Sequence, residues 1–145
     1  MLVQQILTAK GGEGGVISVT GNTRVADVAQ LLSSRRIGTV VVSEDERTPH
    51  GILSERDIVR ELGRRGAGCL QDEASMLMTA NPVTCTPEDT ADAVLARMTE
   101  GRFRHMPVVS GDGMIGLISI GDVVKARLSE LSMEKDALQG LIMGH

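Results

Sequence analysis

The chain of 145 residues has almost no aromatic side chains: there is no Trp, no Tyr, and a single Phe at Phe103. Its core must be built from Val, Ile, Leu, Met and Ala. A planar ligand would be gripped by aliphatic side chains and backbone, not by stacked rings. Cysteine is scarce too. Cys69 and Cys85 form no close pair, which excludes a disulfide framework and the short ligand spacing of a zinc site and fits a reducing cytoplasm. Basic residues are not in excess. A formal net charge of −4 argues against a general nucleic-acid binder, which needs clustered Lys and Arg for phosphate. No apolar run reaches the ~18 residues of a membrane span. The opening Met1-Leu2-Val3-Gln4-Gln5-Ile6-Leu7 lacks a basic stretch followed by an apolar one, so no secretory signal is expected. Hydrophobic content of 41% and charged content of 23% are those of an ordinary soluble protein, long enough to bury a core.

What the chain does have is a sequence written twice. Gly51-Ile52-Leu53-Ser54-Glu55-Arg56-Asp57-Ile58-Val59-Arg60 returns as Gly116-Leu117-Ile118-Ser119-Ile120-Gly121-Asp122-Val123-Val124-Lys125. Upstream, the apolar positions Val25, Val28, Ala29 and Leu32 recur as Ala91, Val94, Leu95 and Met98, the spacing of a helix with one buried face. The run Ile37 to Val42 matches Phe103 to Val108, and each is followed by a stretch of turn composition, Glu44 to Pro49 and Gly111 to Gly113. Even the segments leading into each copy agree: Ile6-Leu7-Thr8-Ala9 parallels Leu77-Met78-Thr79-Ala80, followed by short strands at Val16 to Thr20 and Val83 to Thr86.

Each half therefore reads as β-α-β-β-α, with its first two strands parallel across the helix and the next two an antiparallel hairpin. The expected fold class is α/β (α+β): two such repeats, 1–66 and 67–145, packed face to face about a pseudo-two-fold axis into one module. Gly63 to Gly68 is the expected linker. Val124, Leu128, Leu131, Leu138 and Ile142 form an apolar stripe that runs past the end of the repeat. It fits either a tail packed on its own domain or a homodimer contact.

Two readings apply to the repeated Ser-x-x-Asp. Ser54 with Asp57, and Ser119 with Asp122, suit a helix start: the Ser accepts from exposed backbone N–H groups and the acid favours the positive helix end. Yet each pair also follows a strand, where ligands of α/β sheets gather. An ionised carboxylate there can accept from both hydroxyls of a ribose. Arg104 and His105 lie beside Pro107 in the second copy, and Arg is well suited to phosphate. Diol acceptor, apolar slot and phosphate binder together point to a nucleotide.

With those residues, the Met78-Thr79 lead-in and the Arg104-to-Val109 strand, the chain from about Ile6 to Lys125 resembles a tandem pair of CBS motifs, the regulatory repeats first named from cystathionine β-synthase. The resemblance implies two quasi-symmetric clefts for an adenosine-containing ligand: AMP foremost, with ATP, ADP, NAD(H) and S-adenosylmethionine in the same class. It implies one cleft of Ser54, Asp57, Thr86, Phe103, Arg104, Met106 and Pro107, and another of Ser119, Asp122, Thr20, Ile37, Gly38 and Thr39, with His105 packed or in ligand contact. Arg56 and Arg104 add charge to the Asp57 cleft, where the other has Gly121 and Gly38. The Asp57 cleft is thus expected to take the more anionic ligand. No nucleophile with its base and no metal-ligand spacing is apparent, so a non-enzymatic sensor acting on an unidentified protein partner is expected. The rival is a scaffold that dimerises and binds no ligand.

Overall fold

The computed structural model describes residues 1–11 and 16–142. In chain order the elements are α1 (Val3–Ala9), β1 (Ser18–Val19), α2 (Val25–Arg35), β2 (Thr39–Val42), β3 (Gly51–Ser54) and α3 (Glu55–Arg65). After a 3₁₀ turn at Ala67–Gln71 come α4 (Ala74–Leu77), β4 (Thr79–Ala80), α5 (Ala91–Gly101), β5 (His105–Ser110), β6 (Gly113–Ser119) and α6 (Ile120–Ile142). The duplicated apolar spacing becomes matched helices: α2 buries Val25, Val28 and Leu32, and α5 buries Ala91, Val94 and Met98. The first sheet has the order β1-β2-β3-β4, with β1 parallel to β2 and the other pairs antiparallel. The second pairs β5 with β6 antiparallel. The fold is α/β with paired repeats and a long C-terminal helix, as the sequence indicates.

Two local expectations are corrected. The strand expected over Val83 to Thr86 shrinks to one parallel bridge between Cys85 and Val108. In the first repeat the Val41 N–H donates to the Ile17 carbonyl at 3.1 Å. The matching position in the second is Pro107, which has no N–H to give, so the ladder stops. The expected linker also begins later. Gly63, Arg64 and Arg65 remain in α3, whose last turn is held by Arg64 and Arg65 on Glu61 at 3.1 and 2.6 Å, cations at the helix end that favours them. The chain turns at Gly66, with φ of 78°, a conformation open to glycine.

The hydrophobic clusters cross the division at 66/67. Val3 and Ile6 of α1 are buried with Val94, Met98, Met106, Val108 and Ile118 of the second repeat. Ala74 and Leu77 of α4 are buried with Val25, Val28, Leu32, Val40 and Leu53 of the first. Each lead-in is thus exchanged onto the opposite half, by the same hydrogen bonds. Ala74 N donates to Thr23 O at 2.7 Å and Val3 N to Asp89 O at 2.8 Å. Val25 N donates to Asp72 O and Ala91 N to Met1 O, both at 2.9 Å.

The motif glycines answer to this exchange. A Cβ on Gly51 would fall on the Met78 side chain, and one on Gly116 would stand 2.6 Å from Leu7 Cδ2. The lead-in lies directly against the strand at both places. Gly51→Ala and Gly116→Ala are therefore expected to lower stability in denaturant unfolding by roughly 1–3 kcal/mol, the usual cost of overpacking. Gly63→Ala, with nothing within 4 Å of the new methyl, should raise stability, because Ala is the better helix former. Motif variants as stable as the parent would contradict the exchange as a packing constraint.

Candidate functional site

The site is assembled where both hairpins begin and end. In register, Thr39 pairs with Ser54 and His105 with Ser119. Thr39 and His105 occupy the same place in the two repeats. Thr39 Oγ1 lies 3.1 Å from His105 Nε2, so the pseudo-two-fold axis passes between them. On each side the strand turns directly into a helix, with Glu55 N donating to Gly38 O at 2.9 Å and Ile120 N to Arg104 O at 2.8 Å.

Both carboxylates close a cap at their own helix. Asp57 Oδ2 accepts from Ser54 N at 2.9 Å and Ser54 Oγ at 3.0 Å, and Asp57 N donates back to Ser54 Oγ at 3.3 Å. On the other side Asp122 Oδ2 accepts from Ser119 N at 2.8 Å, and Asp122 N donates to Ser119 Oγ at 3.1 Å. The helix-start reading thus holds at both sites. It leaves acceptor capacity, since an ionised carboxylate offers about four lone-pair positions. Asp57 Oδ1 takes Arg60 Nη2 at 2.8 Å, with the residue 9% exposed. Asp122 Oδ1 takes no hydrogen bond among the described residues, while Oδ2 also takes Lys10 Nζ at 2.9 Å.

The charges around the axis shape its titration. Burial works against the Asp122 carboxylate, yet the Lys10 ammonium and the Ser119 amide hold its pKa below the ordinary value. Burial pushes the His105 imidazole pKa down. The Asp122 carboxylate opposes this, Lys10 and Arg104 reinforce it, and Asp57 opposes it. Both carboxylates and both cations therefore act on one ring.

The expected site residues divide. Gly38, Thr39, Ser54, Asp57, Arg104, His105, Ser119 and Asp122 meet around the axis. Arg56 and Arg104 are exposed, and their guanidinium groups make no hydrogen bond among the described residues. Met106 is fully buried in the second core, Pro107 is buried opposite Leu117, and Phe103 packs against that same core. Ile37 packs on the first core. These four pack against the cores beside the axis, Ile37 also lining the open groove between α2 and α3.

Thr20 and Thr86 are not brought to the axis. Thr20 follows β1, whose Val19 is level with Val42, so it stands about 13 Å along the strand from Thr39 at ~3.3 Å per residue. Thr86 follows Cys85 beside Val109 in the same way. The first strand of each repeat carries its threonine away from the turn where the carboxylates sit. Lys10, by contrast, is a site residue that sequence reasoning missed. Its only signal was its place in a lead-in that turns out to be exchanged.

Among the described residues no group of His, Cys, Asp and Glu is arranged to hold a metal ion. No described helix is long and apolar enough to cross a membrane. Burial, with the Asp89 charge, pushes the Cys85 thiol up to about 11, far from a reactive thiolate.

The CBS domain family profile matches residues 14–64 and 74–129. The chain belongs to the CBS-domain family. The CBS pair is 30% identical to the mitochondrial CBS domain-containing protein CBSX3 of Arabidopsis thaliana, over 98% of this chain and 72% of that one. It superposes on the CBS-domain containing protein ATU1752 of Agrobacterium tumefaciens with a TM-score of 0.79 and 40% identity, covering 88% of this chain and 99% of that one. The CBS domain protein PAE2072 of Pyrobaculum aerophilum, complexed with AMP, superposes with a TM-score of 0.76 and 26% identity over 92% of this CBS pair and 99% of its own chain.

The charge pattern gives a pH prediction. The His105 pKa is lower folded than unfolded, so its contribution to stability is complete above the unfolded value of about 6.5 and is lost as pH falls through the folded value. The depressed Asp122 carboxyl adds a loss in the same direction at more acid pH. NMR titration of the His105 ring should give a midpoint below about 6.5, lower still in Asp122→Asn. A midpoint at or above the free value would contradict the lowering of the His105 pKa by its partial burial.

Proposed function

We propose that this CBS pair is a non-enzymatic regulatory module that binds adenosine-containing ligands in two clefts between its repeats: AMP foremost, then ADP, ATP, NAD(H) and S-adenosylmethionine. The observation that carries the reading is the duplicated carboxylate. Asp57 and Asp122 stand at matching strand-to-helix turns, fixed by their caps, with Arg60 paired to the first and Lys10 to the second, and Arg104 at the turn that bears Asp122. The AMP complex of the Pyrobaculum relative supports the ligand class. In each cleft the carboxylate would accept the ribose hydroxyls, and the cations, with Arg56, would face phosphate. Repeats 1–66 and 67–145 work as one unit, because each needs the other's lead-in. Ligand bridging the clefts would bias their packing, provided it binds one arrangement better than the other. The setting proposed is cytoplasmic, with a regulated protein as partner.

Homodimerisation is part of the proposal. The reading of the C-terminal stripe as a tail folded onto its own domain is overturned: Val124, Leu128, Leu131, Leu138 and Ile142 are all exposed. Val59, the counterpart of Val124, is exposed too, at the rim of an open groove of about 510 Å³ between α2 and α3. A second copy covering these faces fits their spacing. Leu131→Lys is expected to halve the mass measured by light scattering in solution. An unchanged mass would count against α6 as the contact.

The scaffold reading is supported by one observation, that both carboxylates already serve as caps. Thermal unfolding separates the two. AMP should raise the melting temperature progressively with concentration, by the equivalent of about 2.7 kcal/mol at a hundredfold excess over Kd. The shift should fall in Asp57→Asn and Asp122→Asn. Ligand-free protein that does not respond to AMP, ADP, ATP, NAD(H) or S-adenosylmethionine would favour the scaffold.

A further inference from the structure

One of the cations that set the two clefts apart comes from a remote segment. Lys10 caps the C-terminal end of α1, in the lead-in exchanged onto the second half. Its Nζ donates to Leu117 O and to Asp122 Oδ2, both at 2.9 Å. The equivalent of Lys10 in the other lead-in is Asn81, whose backbone N–H bonds His50 O instead. On the Asp57 side the carboxylate's cation is Arg60, from its own helix. Among the described residues, only the Asp122 carboxylate is paired with a charge from across the exchange.

That ammonium is held loosely. The Lys10 side chain is 41% exposed and that of Asp122 24%, and an ion pair so open to water holds the fold weakly. Two of the three ammonium donors are used. A ribose whose two adjacent hydroxyls span both oxygens of Asp122 competes with Lys10 for Oδ2, while Oδ1 is open among the described residues. Lysine is a point charge on a flexible four-carbon stem, able to leave the carboxylate without moving the backbone.

We propose that Lys10 determines the ligand class of the Asp122 cleft: its ammonium rests on the carboxylate and passes to the phosphate of an arriving adenosine phosphate. A phosphorylated ligand then replaces one ion pair with another. A neutral nucleoside breaks the pair and gives Lys10 nothing in return. The cleft therefore selects adenosine phosphate over adenosine. This deepens the adenosine-binding reading and rests on it. It adds to the Asp122 cleft a cation that the comparison of Gly38 and Gly121 with Arg104 and Arg56 leaves out, because that cation comes from another segment.

Calorimetry at fixed ionic strength with AMP and adenosine as probes, in an Asp57→Asn background that isolates the Asp122 cleft, tests the assignment. The parent should prefer AMP over adenosine by tenfold or more. Lys10→Met, checked by melting to be folded, should lose most of that preference by weakening AMP while adenosine binds as well or better. Lys10→Arg should keep it. An unchanged AMP-to-adenosine ratio in Lys10→Met, or equal tightening of both probes, overturns the role of Lys10 and leaves adenosine binding intact. No binding of either probe by the Asp57→Asn protein or its parent overturns both.

Discussion

The exchange of lead-in segments is the constraint on which the rest of this molecule depends. A single β-α-β-β-α unit of this length leaves one end of its core open. Here Val3 and Ile6 close the second core, and Ala74 and Leu77 close the first. Neither half can form its complete cluster without a piece of the other, so the halves are locked in one relative placement. Thr39 and His105 meet at 3.1 Å because that placement leaves their strands no other arrangement. The strand-to-helix turns bearing Ser54 and Ser119 are positioned by the same lock.

Structural and functional roles are superposed at those turns. A carboxylate held by its own helix cap has lost its rotational freedom before any ligand arrives, which lowers the cost of presenting it to a diol. The cap and the proposed ribose contact use different lone pairs of the same group. Lys10 reaches Asp122 only because its lead-in has crossed over, so the exchange also creates the electrostatic difference between two otherwise duplicated clefts. Symmetry is kept in the backbone and broken in the side chains.

Much of this was legible in the sequence, because it rests on periodicity and duplication. The buried faces of α2 and α5, the parallel-then-antiparallel strand order and the Ser-x-x-Asp caps follow from local spacing. The collapse of the second repeat's first strand to a single bridge at Cys85 was legible in principle, since it follows from the missing N–H of Pro107. The exchange itself was not. Nothing in the spacing of Ile6-Leu7-Thr8-Ala9 distinguishes packing on its own half from packing on the other. Lys10 was invisible for the same reason. Thr20 and Thr86 were misplaced because a residue at the end of a strand was assigned to the wrong end of the sheet. The burial of Met106 and Pro107 in β5, Met106 in the second core, was not legible either, because the strand run shows no strict alternation to say which side chains face inward.

The central claim is that the repeated carboxylates receive a sugar. A crystal structure of the protein grown with saturating AMP measures this most directly. The account predicts the ribose hydroxyls within hydrogen-bond distance of Asp57 or Asp122, with the adjoining cap intact and phosphate toward Arg104 or Lys10. AMP seated elsewhere on the protein, with both carboxylates making only their caps and ion pairs, would contradict it.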